Sequence, residues 1–241
     1  MMTRDAQQIV NRLISFQNKE KEAFFPRFFK AGKGEYGEGD RFLGIVVPNV
    51  RRVAKENLDA SQEIVDQLLQ NPYHEVRLCG LLIWVEQFKK TKNAAAREQM
   101  VQFYLQHYPR INNWDLVDLS APYIVGEYLL TQPHDERMQL LSRVADIDYL
   151  WAQRIAMVST LTLVRKGEPF EAIALSERFL RHRHDLMHKA VGWVLREIGK
   201  RDLSLLRAFL DRHSRTMPRT MLRYAIERMS DEERRYYMRR E

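Results

Sequence analysis

A polar residue followed by an apolar run recurs along this chain at intervals that restrict what it can fold into. Arg77 precedes Leu-Cys-Gly-Leu-Leu, Asp118 precedes Leu-Ser-Ala-Pro-Tyr, Arg154 precedes Ile-Ala-Met-Val, Lys189 precedes Ala-Val-Gly-Trp, and Arg219 precedes Thr-Met-Leu. The steps are 41, 36, 35 and 30 residues, each the length of a helix pair with its turns. Within the steps apolar residues return at three- and four-residue spacing, and no convincing run of alternating β-branched residues intervenes. The pattern predicts an all-α fold, an α-solenoid (superhelix) of HEAT-like helical repeats, with residues 1–241 as a single domain. In such a stack the equivalent helices line a concave wall. Arg77, Arg154, Lys189 and Arg219 would form a basic row along it, and Asp118 would be the one acid at a position where the other repeats carry a cation.

Punctuation residues place the helices. Thr3 to Asn18 and Lys19 to Ala31 read as the first two, the second carrying Pro26 near its middle. Pro48 opens a helix, Asn71-Pro72 starts another that runs to about Lys90, and Pro133 opens a further one. Gly167 and Pro169 separate two more, and Ser230 with Glu233 has capping-box spacing. Gly32-Lys33-Gly34-Glu35-Tyr36-Gly37-Glu38-Gly39 formally contains a GxGxxG pattern. No strand precedes it and its carboxylates would repel a pyrophosphate, so it reads as a flexible loop rather than a nucleotide site.

Charge narrows the function classes. The net charge of +7 is unevenly placed: residues 1–180 hold 23 Lys/Arg and 23 Asp/Glu, residues 181–241 hold 16 and 9. A one-sided basic surface suits a polyanion, of which nucleic acid is the commonest; a well-solvated helical face is the plainer alternative. The longest strongly apolar run, Leu78 to Val85, is too short to span a bilayer. The single cysteine, Cys79, sits inside that run and reads as a buried small hydrophobe. No signal core follows the N-terminus, so a cytoplasmic protein is expected, with no membrane association, no cofactor and no obligate protein partner. His184 and His188 stand four apart but lack a third ligand and lie among Arg181, Arg183 and Lys189, which argues against a metal.

The stretch Asn112-Asn113-Trp114-Asp115-Leu116-Val117-Asp118-Leu119-Ser120-Ala121-Pro122 stands out for chemistry. On a helix Trp114 and Asp118 share a face, and Pro122 should open the turn beside Asp118, because it has no N–H and its ring crowds the Asp118 carbonyl. Trp151 and Trp193 accompany Arg154 and Lys189 in the same way, whereas Trp84 reads as core.

Asn113-Trp114-Asp115-Leu116-Val117-Asp118, Trp151-Ala152-Gln153-Arg154 and Lys189-Ala190-Val191-Gly192-Trp193-Val194-Leu195-Arg196-Glu197 resemble three motifs of the AlkD family of DNA glycosylases. Phe42-Leu43-Gly44-Ile45 with Pro48 and Arg51 resembles a fourth, and the likeness runs from about residue 20 to about residue 225. The resemblance implies excision of cationic N3- and N7-alkylated purines from double-stranded DNA. It makes Asp118 the catalytic aspartate, Trp114 and Trp193 the indoles flanking the damaged nucleotide, and Arg154 a phosphate contact, with Lys189, Arg196 and Arg77 as further DNA-binding candidates. Two departures accompany it: the glycine-rich loop is longer than expected, and Asn113 stands in place of a second aromatic. The competing readings are a non-catalytic HEAT-repeat DNA-binding protein and a protein-interaction scaffold.

Overall fold

Helix starts follow local chemistry. Thr3, Asn18, Ser61, Asn93 and Asp202 each accept a backbone N–H from the first turn of the helix they precede, and Ser230 with Glu233 forms the reciprocal capping box. The computed structural model describes residues 2–239, and every regular element among them is helical. In order these are α1 (Arg4–Ile14), α2 (Lys19–Phe28), α3 (Val47–Glu56), α4 (Gln62–Leu69), α5 (His74–Lys90) and α6 (Ala94–Gln106). A 3-10 turn (Tyr108–Arg110), α7 (Trp114–Asp118) and a turn of π-helix (Pro122–Gly126) follow, leading directly into α8 (Glu127–Leu129). Then come α9 (His134–Ala145), α10 (Leu150–Arg165), α11 (Phe170–Arg178), α12 (Asp185–Arg201), α13 (Leu203–His213), α14 (Arg219–Ala225) and α15 (Asp231–Met238). Pro26 is absorbed within α2, and the helix expected from Pro72 starts two residues later.

The chain divides between Ser120 and Ala121 into two compact units. The first is organised on α5, which buries thirteen of its seventeen residues. Such all-round burial marks a core helix rather than a surface one. Helices α3 and α4 pack on α5, and α1 packs on both of them. Gly80 permits a close approach, since a Cβ there would lie 3.1 Å from that of Leu68. Trp84 and Cys79 are buried in α5 as expected.

The second unit has two central helices. α10 buries thirteen of its sixteen residues and packs against α9, α11 and α12, while α12 packs against α13 and α14. The π-helical turn is fixed to α10: Thr162 Oγ1 donates to the Pro122 carbonyl at 2.7 Å, and a Cβ on Gly126 would stand 2.6 Å from the Ser159 carbonyl. The helix that begins at Trp114 does not run straight through Pro122. It ends at Asp118, turns over Leu119 and Ser120, and resumes with the wider π spacing. No helix of the described residues is long and apolar enough to cross a membrane.

Candidate active site

The chain bends at Gly44, whose φ is +76° and whose missing Cβ leaves room for the Asn18 carbonyl, only 2.2 Å from where a Cβ would sit. The buried Glu75 carboxylate holds that bend by accepting the backbone N–H groups of Leu43, Gly44 and Ile45 at 2.8–3.1 Å. This arrangement is the physical content of the Phe-Leu-Gly-Ile motif. It places the Phe42 ring against Phe29, stacked at 5.1 Å and 12°.

Phe29 in turn supports Trp114, with ring centroids 5.8 Å apart and planes at 25°. Phe28 meets the same indole edge-on at 6.0 Å. Asn113, where a second aromatic was expected, has another task. It is fully buried, its Oδ1 accepts from the Trp114 N–H at 2.9 Å, and its Nδ2 donates to the Phe29 carbonyl at 3.4 Å. Phe28 and Phe29 supply the buttress that the motif departure removed. Trp114 and Asp118, first and last residues of α7, stand one turn apart and are both half-buried. Tyr104 lies behind α7 with its hydroxyl 2.8 Å from Ser120 Oγ; burial, and then the nearby negative charge of Asp118, push its ionisation upward.

Beneath Trp114 lies a charge cluster that sequence reading missed. His74 Nδ1 is 2.8 Å from Asp40 Oδ2 and its Nε2 is 2.8 Å from Asp115 Oδ2, all three side chains being buried. Burial pulls the His74 pKa down, but the charges and hydrogen bonds of Asp115 and Asp40 outweigh it and raise it from 6.5 to about 9. The imidazolium therefore donates from both nitrogens at neutral pH. Burial opposes ionisation of Asp40, and the bonds from His74 and Arg77 prevail, lowering its pKa. Asp115 keeps one oxygen, Oδ1, buried without a hydrogen bond. The available signal was His74-Glu75-x-Arg77, three charged or polar residues interrupting an otherwise apolar helix.

Arg77 is a correction to the basic row. It is 1% exposed, and its guanidinium is spent on the carbonyls of Asn71, Pro72 and Arg110, the Asn112 side chain and Asp40. It ties α5 to the segment leading into α7 and offers nothing to a phosphate. The glycine-rich loop is likewise held rather than loose: Glu35 and Glu38 accept the N–H groups of Gly32 and Gly34 at 2.9 and 2.8 Å, and its last residue is followed by Asp40.

In the second unit Arg154 is 4% exposed and donates to the Leu186 carbonyl at 2.7 Å, at the start of α12. Lys189 is more open and pairs with Asp185 at 2.9 Å. Arg196 pairs with Glu227 and is mostly covered. Trp193 is half-buried beside Gly192, where the backbone of α14 comes within 2.5 Å of a would-be Cβ, and Trp151 is core. His184 caps α12, accepting from Leu186 N, and His188 Nε2 bonds the His182 carbonyl at 2.6 Å. Burial, then His188, Arg154 and Lys189 acting against Asp185, lower the His184 pKa. Among the described residues no group of three or more His, Cys, Asp or Glu is placed to hold a metal ion.

Two solved structures share this helical architecture. A predicted DNA alkylation repair enzyme from Enterococcus faecalis superposes with a TM-score of 0.71 over 89% of this chain and 97% of its own, at 16% identity. The structure of smu.31 from Streptococcus mutans UA159 gives 0.55 over 94% and 98%, at 15% identity. At that identity the likeness speaks for the fold. No curated protein sequence matches. The sequence model of the DNA alkylation repair enzymes matches residues 9–229, nearly the whole helical array with its Trp114–Asp118 turn, and the chain belongs to that family.

Proposed function

We propose that the protein is a DNA glycosylase that hydrolyses the N-glycosidic bond of cationic N3- or N7-alkylated purines in double-stranded DNA. The observation that carries this reading is the α7 turn, where a half-buried carboxylate and an indole backed by Phe29 stand one turn apart. Alkylation leaves the purine positively charged, so it departs as a neutral base and needs no general acid. One carboxylate can then serve where ordinary glycoside hydrolysis uses two. As the C1′–N bond breaks, positive charge moves to the sugar; Asp118 stabilises it and orients the attacking water. Trp114 offers a π face to the cationic nucleotide, worth about 0.5–2 kcal/mol, and the half-exposed Phe28 extends that apolar surface.

Trp193 takes the second stacking role on the family resemblance. Lys189 and Arg196 supply positive charge near the backbone, and Arg154 orients the first turn of α12 that carries Lys189. Selectivity follows from lesion charge and bond weakness, so neutral lesions should be poor substrates. The test is release of 7-methylguanine or 3-methyladenine from methylated duplex DNA. Wild type should release base, while Asp118→Asn should lose at least about a hundredfold in rate and still bind DNA. Normal excision by the variant would remove Asp118 from the chemistry. Salt-dependent binding with no base release by the wild type would instead favour the non-catalytic DNA-binding alternative.

A further inference from the structure

His74 touches both supports of the Trp114–Asp118 turn. Its Nε2 is 2.8 Å from Oδ2 of Asp115, the residue after Trp114, and its ring lies 4.8 Å from that of Phe29, which stacks under the indole. Nδ1 is 2.8 Å from Oδ2 of Asp40, the residue that follows the glycine-rich loop. The two ring nitrogens point in different, fixed directions, so a partner on each leaves the ring no freedom to flip. His74 is also the first residue of α5, the helix around which the first unit is built. It therefore joins that core helix to α7.

Helix α7 needs an external hold. Its five residues make little more than one turn, and a turn of that length is not stable on its own. Asp115 is next to Trp114 and three residues before Asp118, so a displacement of Asp115 is carried to the indole and the carboxylate alike. Its side chain is buried, and with Oδ1 lacking a hydrogen bond it is held through Oδ2 by His74. The charges around His74 suit placement better than stability. Asp40 and Asp115 face it, Arg77 pairs with Asp40, and Glu75 is turned to the Phe42–Ile45 bend. Apolar residues of similar volume often stabilise a core as well as buried ion pairs do or better, and the best-attested use of such pairs is to fix one arrangement. An imidazolium bonded to carboxylates from two separate segments admits one arrangement of those segments.

We propose that His74 is a positioning residue of the active site, fixing α7 through Asp115 so that the Trp114 indole and the Asp118 carboxylate hold the spacing that base excision needs. This inference rests on the glycosylase reading above. The test follows single-turnover release of 3-methyladenine from methylated duplex DNA between pH 7 and 10, with DNA affinity and circular dichroism measured at each pH. The imidazolium supplies two N–H groups and the neutral ring only one. Burial lowers the His74 pKa, but Asp115 and then Asp40 raise it from 6.5 to about 9, so the hold is complete at pH 7 and is lost as pH rises through about 9. Wild-type excision should fall across that range while the protein stays folded and bound. At pH 7 His74→Gln, which has a single donor nitrogen, should be about tenfold to a hundredfold slower at unchanged DNA affinity, the loss expected for a displacement on the order of 1 Å. It should also lack the alkaline fall. Asp115→Asn keeps an acceptor for Nε2 but not the charge, so its alkaline fall should move to lower pH. A folded His74→Gln that excises at the wild-type rate overturns the positioning role and leaves the glycosylase reading intact. So does a wild-type rate that stays flat to pH 10, or an alkaline fall at the same pH in Asp115→Asn, and these two results decide the matter if His74→Gln does not fold. A wild type that releases no base at any pH overturns the glycosylase reading itself, and the positioning role with it.

Discussion

Burial alone would drive His74 neutral; two carboxylates, 2.8 Å from its two nitrogens, keep it charged. Folding thus raises its pKa from 6.5 to about 9, so the folded state binds the proton more tightly than the unfolded one. The resulting stabilisation is fully present below about pH 6.5 and is lost as pH rises through about 9. Its size is on the order of 3 kcal/mol. Thermal unfolding of wild type and His74→Gln between pH 6 and 10 should show the gap in stability between them shrinking as pH rises. A gap that stays constant would mean that His74 is neutral in the folded protein. The same residue shows what a linear reading misses. His74 and Arg77 lie on a helix whose apolar neighbours announce a core, yet their partners Asp40, Asn112 and Asp115 stand 34 to 41 residues away in sequence. Periodicity assigned Arg77 to a helix face, but which face met solvent depended on those distant acceptors.

At the level of elements, the turn from Phe42 to Pro48 is the part of the first unit with least tolerance. Gly44→Ala would force a Cβ into the Asn18 carbonyl at a left-handed φ, at a cost of about 2–5 kcal/mol. Glu75→Gln would leave part of a set of buried N–H groups without an acceptor, costing about 1–3 kcal/mol. Denaturant midpoints should fall for both, Gly44→Ala more. If Gly44→Ala unfolds at the wild-type midpoint, the turn is not the anchor described above. Helix identity was largely legible in the sequence: the capping-box spacing at Ser230 and Glu233 and the three- and four-residue apolar spacing gave the right elements, although the first helix, expected to run to Asn18, ends at Ile14 and leaves Asn18 to cap α2. Pro122 correctly marked a break, because a missing N–H acts locally. What took its place, a π turn seated on Thr162, was set by packing on α10 and left no local trace. Trp114 and Asp118 could be named from their motif, whereas the rings beneath Trp114 could not, since Phe28 and Phe29 reach it from α2 and its C-cap.

Across the whole molecule stability is unevenly distributed, and the candidate site sits on the gradient. Each unit has a core helix buried almost all round, α5 in one and α10 in the other. By contrast α2, which brings Phe28 to the edge of Trp114, has no buried residue, and Phe24 and Phe28 are about half exposed. Amides in the middle of α5 and α10 should therefore exchange only through opening of their whole unit, while those of α2 exchange through local opening that costs far less. A soft element beside a rigid indole suits a surface that must accept a large polyanion and then close around it, because ordering on binding is confined to one helix. Hydrogen exchange followed by mass spectrometry should find α2 deuterated orders of magnitude faster than α5 in the free protein. Saturating duplex DNA should slow α2 selectively, with α5 unchanged. If α2 is as protected as α5 without DNA, its contacts are stronger than its exposure implies and the Trp114 surface is rigid throughout. If DNA binds but leaves α2 exchange untouched, Phe24 and Phe28 lie outside the contact.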